Sequence, residues 1–154
     1  PTVSLRLQII IQEEADESSM SRSGYYDDIE SWDLIRWRGQ VASAIKGKKG
    51  QLFLLEMLAA LDALSEKKLV VGKLELEGSV CAIGAVGKRR GIDMSNIIPE
   101  DFNEVAEKFG IVRQLAQEIV YENDEASHFE ETPEDRFKRM RAWVVNNIRD
   151  FEVK

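Results

Sequence analysis

The chain has 154 residues, of which 44% are hydrophobic and 32% charged, with a net charge of −7; a chain of this size closes a core without needing disulfides or metals. The acidic balance, with a sequence pI of 4.9, disfavours nonspecific attraction to DNA or to anionic lipid, and no apolar run reaches the length of a membrane helix. The single cysteine, Cys81, has no internal partner and lies in an apolar run, which points to a reducing, cytoplasmic setting.

Val3, Leu5, Leu7, Ile9 and Ile11 alternate with Thr2, Ser4, Arg6 and Gln8, the period of a half-buried strand. This apolar segment has neither a basic leader nor a small-residue cleavage site, which argues against secretion. "QEEADESSMSRSG" follows without any period and reads as an acidic, then serine-rich linker. Residues 1–19 are therefore expected to form an N-terminal strand and linker ahead of one globular domain over 20–154.

Over residues 32–45, Leu34, Trp37, Val41, Ala44 and Ile45 recur at helical steps, with Ser31 or Asp33 as cap. "GKKG" at 47–50 breaks the chain. A second helix over 51–64 places Leu54, Met57, Leu58, Leu61 and Leu64 on one side, with Phe53 and Leu55 widening the face; it is expected at the centre of the core. The short break makes the two a helical hairpin. "KLVVGKLELEGSVCAIGAVG" then predicts a β-hairpin, with strands over 68–76 and 79–86 and the turn at Glu77-Gly78, to which the N-terminal strand can add. Pro99 suits the first turn of a helix running to Phe109, with Gly110 as its C-cap, and another helix follows over 111–122. Thr132-Pro133-Glu134-Asp135 opens a last helix that reaches 149 and buries Phe137, Met140, Trp143, Val144 and Ile148. The expected fold is α+β: a predominantly α-helical single domain of about five helices with one β-hairpin, extended by the N-terminal strand.

"GAVGKRRGID" at 84–93 resembles a phosphate loop only superficially. Gly84 and Gly87 are too close together, and Arg89 stands where the magnesium-binding hydroxyl belongs. The stretch reads as a strand end with a solvated basic turn, where Lys88, Arg89 and Arg90 can grip an anion. In "NEVAEKFGIVRQLAQEIVYE", Ala106 and Gly110 fall at the tight-packing and turn positions of a helix-turn-helix, and Val105, Phe109, Ile111, Ala116 and Ile119 at its apolar positions. Its second helix offers Arg113, Gln114 and Gln117, but residues 91–135 hold 2 cations against 13 acids. DNA is thus the weaker partner for it, and a packed helical pair the favoured reading.

His128 lies among Glu122, Asp124, Glu125, Glu130 and Glu131, but the spacing lacks the glycine an EF-hand loop requires, so neither metal nor cofactor is expected. One histidine and one cysteine in regions of different character give no nucleophile–base pair, and the chain is expected to be non-enzymatic. Tyr25, Tyr26 and Trp32 are candidate interface aromatics. Charge segregates along the chain, at −6 over 1–35, +6 over 36–90, −11 over 91–135 and +4 over 136–154. This layout suits a basic protein partner or a homo-oligomer, with Glu118, Glu122, Asp124, Glu125, Glu130 and Glu131 as the contact face.

"MSRSGYYDD", "RWRGQVASAIKGKKGQLFLLEMLAALDAL", "VCAIGAVGKRRGIDM" and "YENDE…TPEDRFKRMRAWV" resemble a family of uncharacterised small phage and prophage proteins, over residues 20 to about 148. The resemblance carries no activity residue by residue. It implies a bacterial cytoplasm during infection or lysogeny, where small acidic proteins act by binding host or phage machinery, for instance as anti-defence or host-takeover inhibitors. A helix-turn-helix DNA-binding regulator is the alternative.

Overall fold

A computed structural model of the chain describes residues 31–127 and 130–149. The expected N-terminal strand, the linker, Tyr25, Tyr26 and His128 lie outside them. The described residues are mostly helical, with one small antiparallel hairpin. In chain order they form α1 (Ser31–Lys46), α2 (Lys48–Ala63), β1 (Glu75–Leu76), β2 (Ser79–Val80), α3 (Ala82–Arg90), α4 (Phe102–Phe109), α5 (Arg113–Asp124) and α6 (Pro133–Asn147).

The α1–α2 hairpin breaks at Gly47 alone, and the helix resumes at Lys48, earlier than "GKKG" suggests. Gly50 is required there, because a Cβ would overlap the Ala44 carbonyl oxygen. Gln51 then closes two helix ends at once. Its Nε2 donates to the carbonyls of Ile45 at 2.7 Å and Asn147 at 2.9 Å, groups left unpaired where α1 and α6 stop. Phe53, Leu54, Met57, Leu58 and Leu61 of α2 are buried, against α3 and α6. As expected, α2 is a pillar of the core; truncating Met57 or Leu61 to Ala would cost about 2–5 kcal/mol.

The hairpin is shorter than the sequence suggests. Glu75 pairs with Val80 and Leu76 with Ser79. Glu77 at φ 51° and Gly78 at φ 83° make the two-residue turn expected there, with the pair of positive φ angles that matches strand twist. Residues 68–74 do not continue β1; Leu69 instead donates its N–H to Pro133 and Val70 to Val80.

The second strand, expected over 79–86, is a correction. From Ala82 to Arg90 the chain is the helix α3, and "GAVGKRRGID" is its body and C-cap rather than a strand end. Cys81 caps it, accepting from the Gly84 N–H at 3.3 Å, while Asn123 Oδ1 accepts from the Ala82 N–H at 3.1 Å. Residues 81–87 are all buried, so no polar face marks the helical period. A continuous apolar run of this length fits a buried strand or a buried helix equally well. Gly84 lets α3 press onto the hairpin, since a Cβ would overlap the Leu74 carbonyl oxygen.

Pro99 precedes α4 instead of opening it; Asp101 caps that helix by accepting from the Glu104 N–H at 3.1 Å. Gly110 ends α4 in the left-handed conformation at φ 71°, as its position implies. Thr132 caps α6 by accepting from the Asp135 N–H at 3.1 Å, with Pro133 in the first turn. Phe137, Met140 and Val144 are buried and Trp143 half-buried. One contiguous apolar cluster joins α2, α3, α4, α5 and α6. Among the described side chains of α1 only Val41 is fully buried, and Leu34, expected on its core face, is exposed.

Candidate functional site

The six acids singled out from the sequence fall in the middle of α5, at its C-terminal end and in the segment that leads to α6, but they are not equivalent. Glu118 is 2% exposed. Its carboxylate accepts from Arg38 of α1 at 2.8 and 3.0 Å, a two-pronged pair that fastens α1 to α5. Glu131 is likewise engaged: Arg139 donates to it at 3.0 and 2.7 Å, and Arg136 Nε lies 3.4 Å away. Arg139 also donates to the carbonyls of Glu122 and Asn123, closing the C-terminus of α5. Asp124 accepts from the Gly72 N–H at 3.3 Å and from Asn123 Nδ2 at 2.7 Å. Asn123 itself is buried and donates to the Val70 carbonyl at 2.9 Å. The end of α5 is thus stitched to the segment ahead of β1, to α3 and to α6.

Glu122 and Glu125 are half-buried and Glu130 is exposed. Burial holds the Glu122 carboxyl above the usual glutamate range, and the Glu118 charge pushes the same way against Arg139 and Arg38. The half-buried Tyr121 hydroxyl is raised too, by burial first and then by the charges of Glu122, Glu125 and Glu118. Glu131 is moved the other way, held low by its hydrogen bond to Arg139. The last turn of α5 holds no basic residue, so acids occupy the negative end of the helix dipole.

Lys88, Arg89 and Arg90 form the last turn of α3, where they complement the negative end of that helix's dipole. They do not converge. Arg90 is bound to Glu56 at 2.7 and 2.5 Å and donates to the Phe109 carbonyl at 3.0 Å, with its guanidinium 5.7 Å from the Phe53 ring. Lys88 reaches the Gly78 carbonyl at 3.3 Å, and Arg89 points to solvent. Among the described residues, no three histidine, cysteine or acidic side chains gather as a metal site requires.

Val105, Phe109, Ile111, Ala116 and Ile119, the apolar positions of the helix-turn-helix pattern, are all buried between α4 and α5. Yet α5 is covered on its other side as well. Residues 115–120 are consecutively buried, and α1 lies over Gln114 and Glu118. Arg113 alone among the would-be reading residues is exposed.

Sequence reading missed a second surface. Ile35, Gly39, Ser43 and Ala44 of α1 face Val112 and Gln114 across an open groove of about 720 Å³. It continues into a smaller hollow of about 310 Å³ floored by Ile111 and Leu115 and edged by Lys48 and Lys49. Trp32 is 76% exposed, Ile35 62% and Val112 51%. Lys46, Lys48 and Lys49 are exposed, and α2 begins there with neither a side-chain cap nor an acid in its first turn. The lysine run was visible as "GKKG", but lysine spacing alone says nothing of an apolar groove beside it.

Among the described residues, no helix is long and apolar enough to cross a membrane. A scan against protein-family models and searches of curated proteins and of solved structures return no match to this chain.

Proposed function

We propose that the chain is a non-enzymatic interaction protein that meets a basic surface of a host or phage protein through the acidic end of α5. The observation that carries this reading is the electrostatics of that end. Burial raises both Tyr121 and Glu122, and neighbouring carboxylates push the same way against Arg38 and Arg139, where the helix dipole is already negative. A cationic partner would relieve that repulsion, and the field would steer its approach. The contact residues are Glu122, Glu125 and Glu130; Glu118 and Glu131 serve the fold through Arg38 and Arg139. The resemblance over residues 20–148 supports a phage setting in the bacterial cytoplasm, where an anti-defence or host-takeover inhibitor would work by such binding.

The test is affinity capture from bacterial lysate, with and without nuclease, using the chain and its Glu122→Lys/Glu125→Lys variant. The expected result is a protein retained after nuclease, released by salt, and lost with the variant while helical circular dichroism is unchanged. Capture that vanishes with nuclease overturns the reading and favours the helix-turn-helix alternative, whose remaining exposed cation on α5 is Arg113.

A further inference from the structure

The two ends of α5 carry opposite charge, and each carries the sign of its own dipole end. Arg113 opens the helix, Val112 caps it without a side-chain hydrogen bond, and its first turn holds no acid. The hollow beside that end, floored by Ile111 and Leu115, also receives the start of α2, where Lys48 and Lys49 stand in a first turn equally free of acids. Two positive helix ends and exposed lysines therefore share one apolar hollow. Among the described residues no acid lines it, and Lys46, Lys48 and Lys49 make no ion pair. Glu56, which lines a neighbouring cleft with Lys49, is bound by Arg90.

The C-terminal end is the chemical complement of that hollow. Glu122 and Asp124 lie in the last turn of α5, Glu125 follows it, and Glu130 is exposed beyond. Val71 stands beside them, because its neighbours on both sides are tied to that turn. Asn123 Nδ2 donates to the Val70 carbonyl at 2.9 Å, and the Gly72 N–H donates to Asp124 at 3.3 Å. Val71 itself is 46% exposed. Lys73 and Glu75 are exposed farther along the same segment, and their charges cancel. One end of α5 thus presents an apolar side chain beside carboxylates, and the other an apolar hollow edged by lysines. The 12 residues of α5 hold the two about 18 Å apart, so they cannot meet within one molecule.

We propose that the chain associates head to tail with a second copy, Val71 of one molecule entering the Ile111–Leu115 hollow of the next, with Glu122 and Glu125 against its Lys48 and Lys49. This rests on reading the acidic end of α5 as a contact surface, and adds a second copy as a basic partner of that end. Opposite charges meet at each junction, and the α5 dipoles follow one another end to end. A contact of one apolar side chain and a few ion pairs is weak and reversible. The contact is also heterologous, so every assembly keeps one end of each kind open and grows with concentration instead of stopping at a closed pair.

Analytical sedimentation of the purified full chain tests it. At low salt the mean mass is expected to rise above that of one chain as concentration increases, and to return to it when salt screens the attraction. Lys48→Glu/Lys49→Glu and Glu122→Lys/Glu125→Lys each stay monomeric alone, and an equal mixture of the two associates again, because opposite charges meet once more. Each reversal gives its helix end the sign that the dipole favours, so the fold tolerates both. Val71→Ser, at an exposed position, weakens association several-fold. The proposal is overturned by a full chain that stays monomeric at every concentration, by association that survives either reversal, or by a mixture that fails to associate. A monomeric chain whose acidic end still captures a lysate protein overturns this inference alone and leaves the partner reading standing.

Discussion

Two arginine–carboxylate forks in this molecule have nearly the same geometry and half-exposed arginines, but their carboxylates stand in opposite surroundings. Between α1 and α5, Arg38 holds Glu118 at 2.8 and 3.0 Å; between α6 and α2, Arg141 holds Asp62 at 2.7 and 3.1 Å. The Glu118 side chain is 3% exposed and that of Asp62 48%. Distance is therefore no guide to what each fork contributes. Glu118 has given up most of its water, so the loss of its cation strands a charge, whereas Asp62 would be rehydrated at once. The same contrast divides the acidic end of α5, where Glu131 is bound into the fold and Glu122 is desolvated among like charges.

Breaking the buried fork should produce the largest effect. Arg38→Met is expected to cost about 3 kcal/mol in urea unfolding, because the buried Glu118 carboxylate loses its two-pronged cation. The sharper version is the double change Arg38→Met/Glu118→Leu, which replaces the pair with apolar side chains and should recover most of that loss. If the double variant is as unstable as the single one, the stranded charge is not the cause.

The same desolvation explains what could be read from the amino-acid sequence and what could not. Amphipathic elements with ordinary signals were legible: α2 by its leucine spacing, α6 by Thr132-Pro133, the hairpin turn by Glu77-Gly78, and the α4 end by Gly110. Each signal acts within a few residues of itself. The helix α3 was not legible, because a segment buried on every side has no polar stripe, and a cysteine is an uncommon cap. Nor were the roles of the acids. Glu118 looks like a surface charge until Arg38, 80 positions away, is folded onto it. The groove depends on α1 and α5 meeting, and no spacing rule places Val112 opposite Ile35.

A middle-sized effect separates Glu122 from Glu131 by pH. The folded state holds the Glu122 proton more tightly than the unfolded chain does, so its cost appears as pH rises through the ordinary glutamate range and is full at neutrality. Glu131 is held low, so it contributes stability above that range and loses it as pH falls through its folded value. Glu122→Gln should therefore stabilise at about pH 7, by less than about 1 kcal/mol, and the gain should vanish well below the glutamate range. Glu131→Gln should destabilise at neutral pH, with the difference shrinking in acid. Urea unfolding of both variants across that range checks the signs, and the same sign for both would remove the distinction between the two acids.

The smallest effect is expected at the exposed fork. A double-mutant cycle with Asp62→Ala and Arg141→Ala should give a coupling of about 0.5 kcal/mol or less, reduced further by salt. Both side chains keep much of their water, and holding them in one geometry costs rotamer entropy that offsets the attraction. The Asp62 carboxyl is held low by its hydrogen bond to Arg141, but so exposed a group is screened, and little of that preference reaches the stability of the fold. A coupling near that of the buried fork would mean that geometry, not burial, sets the strength of these pairs. Arg38 would then fasten α1 no more firmly than Arg141 fastens the α2–α6 edge.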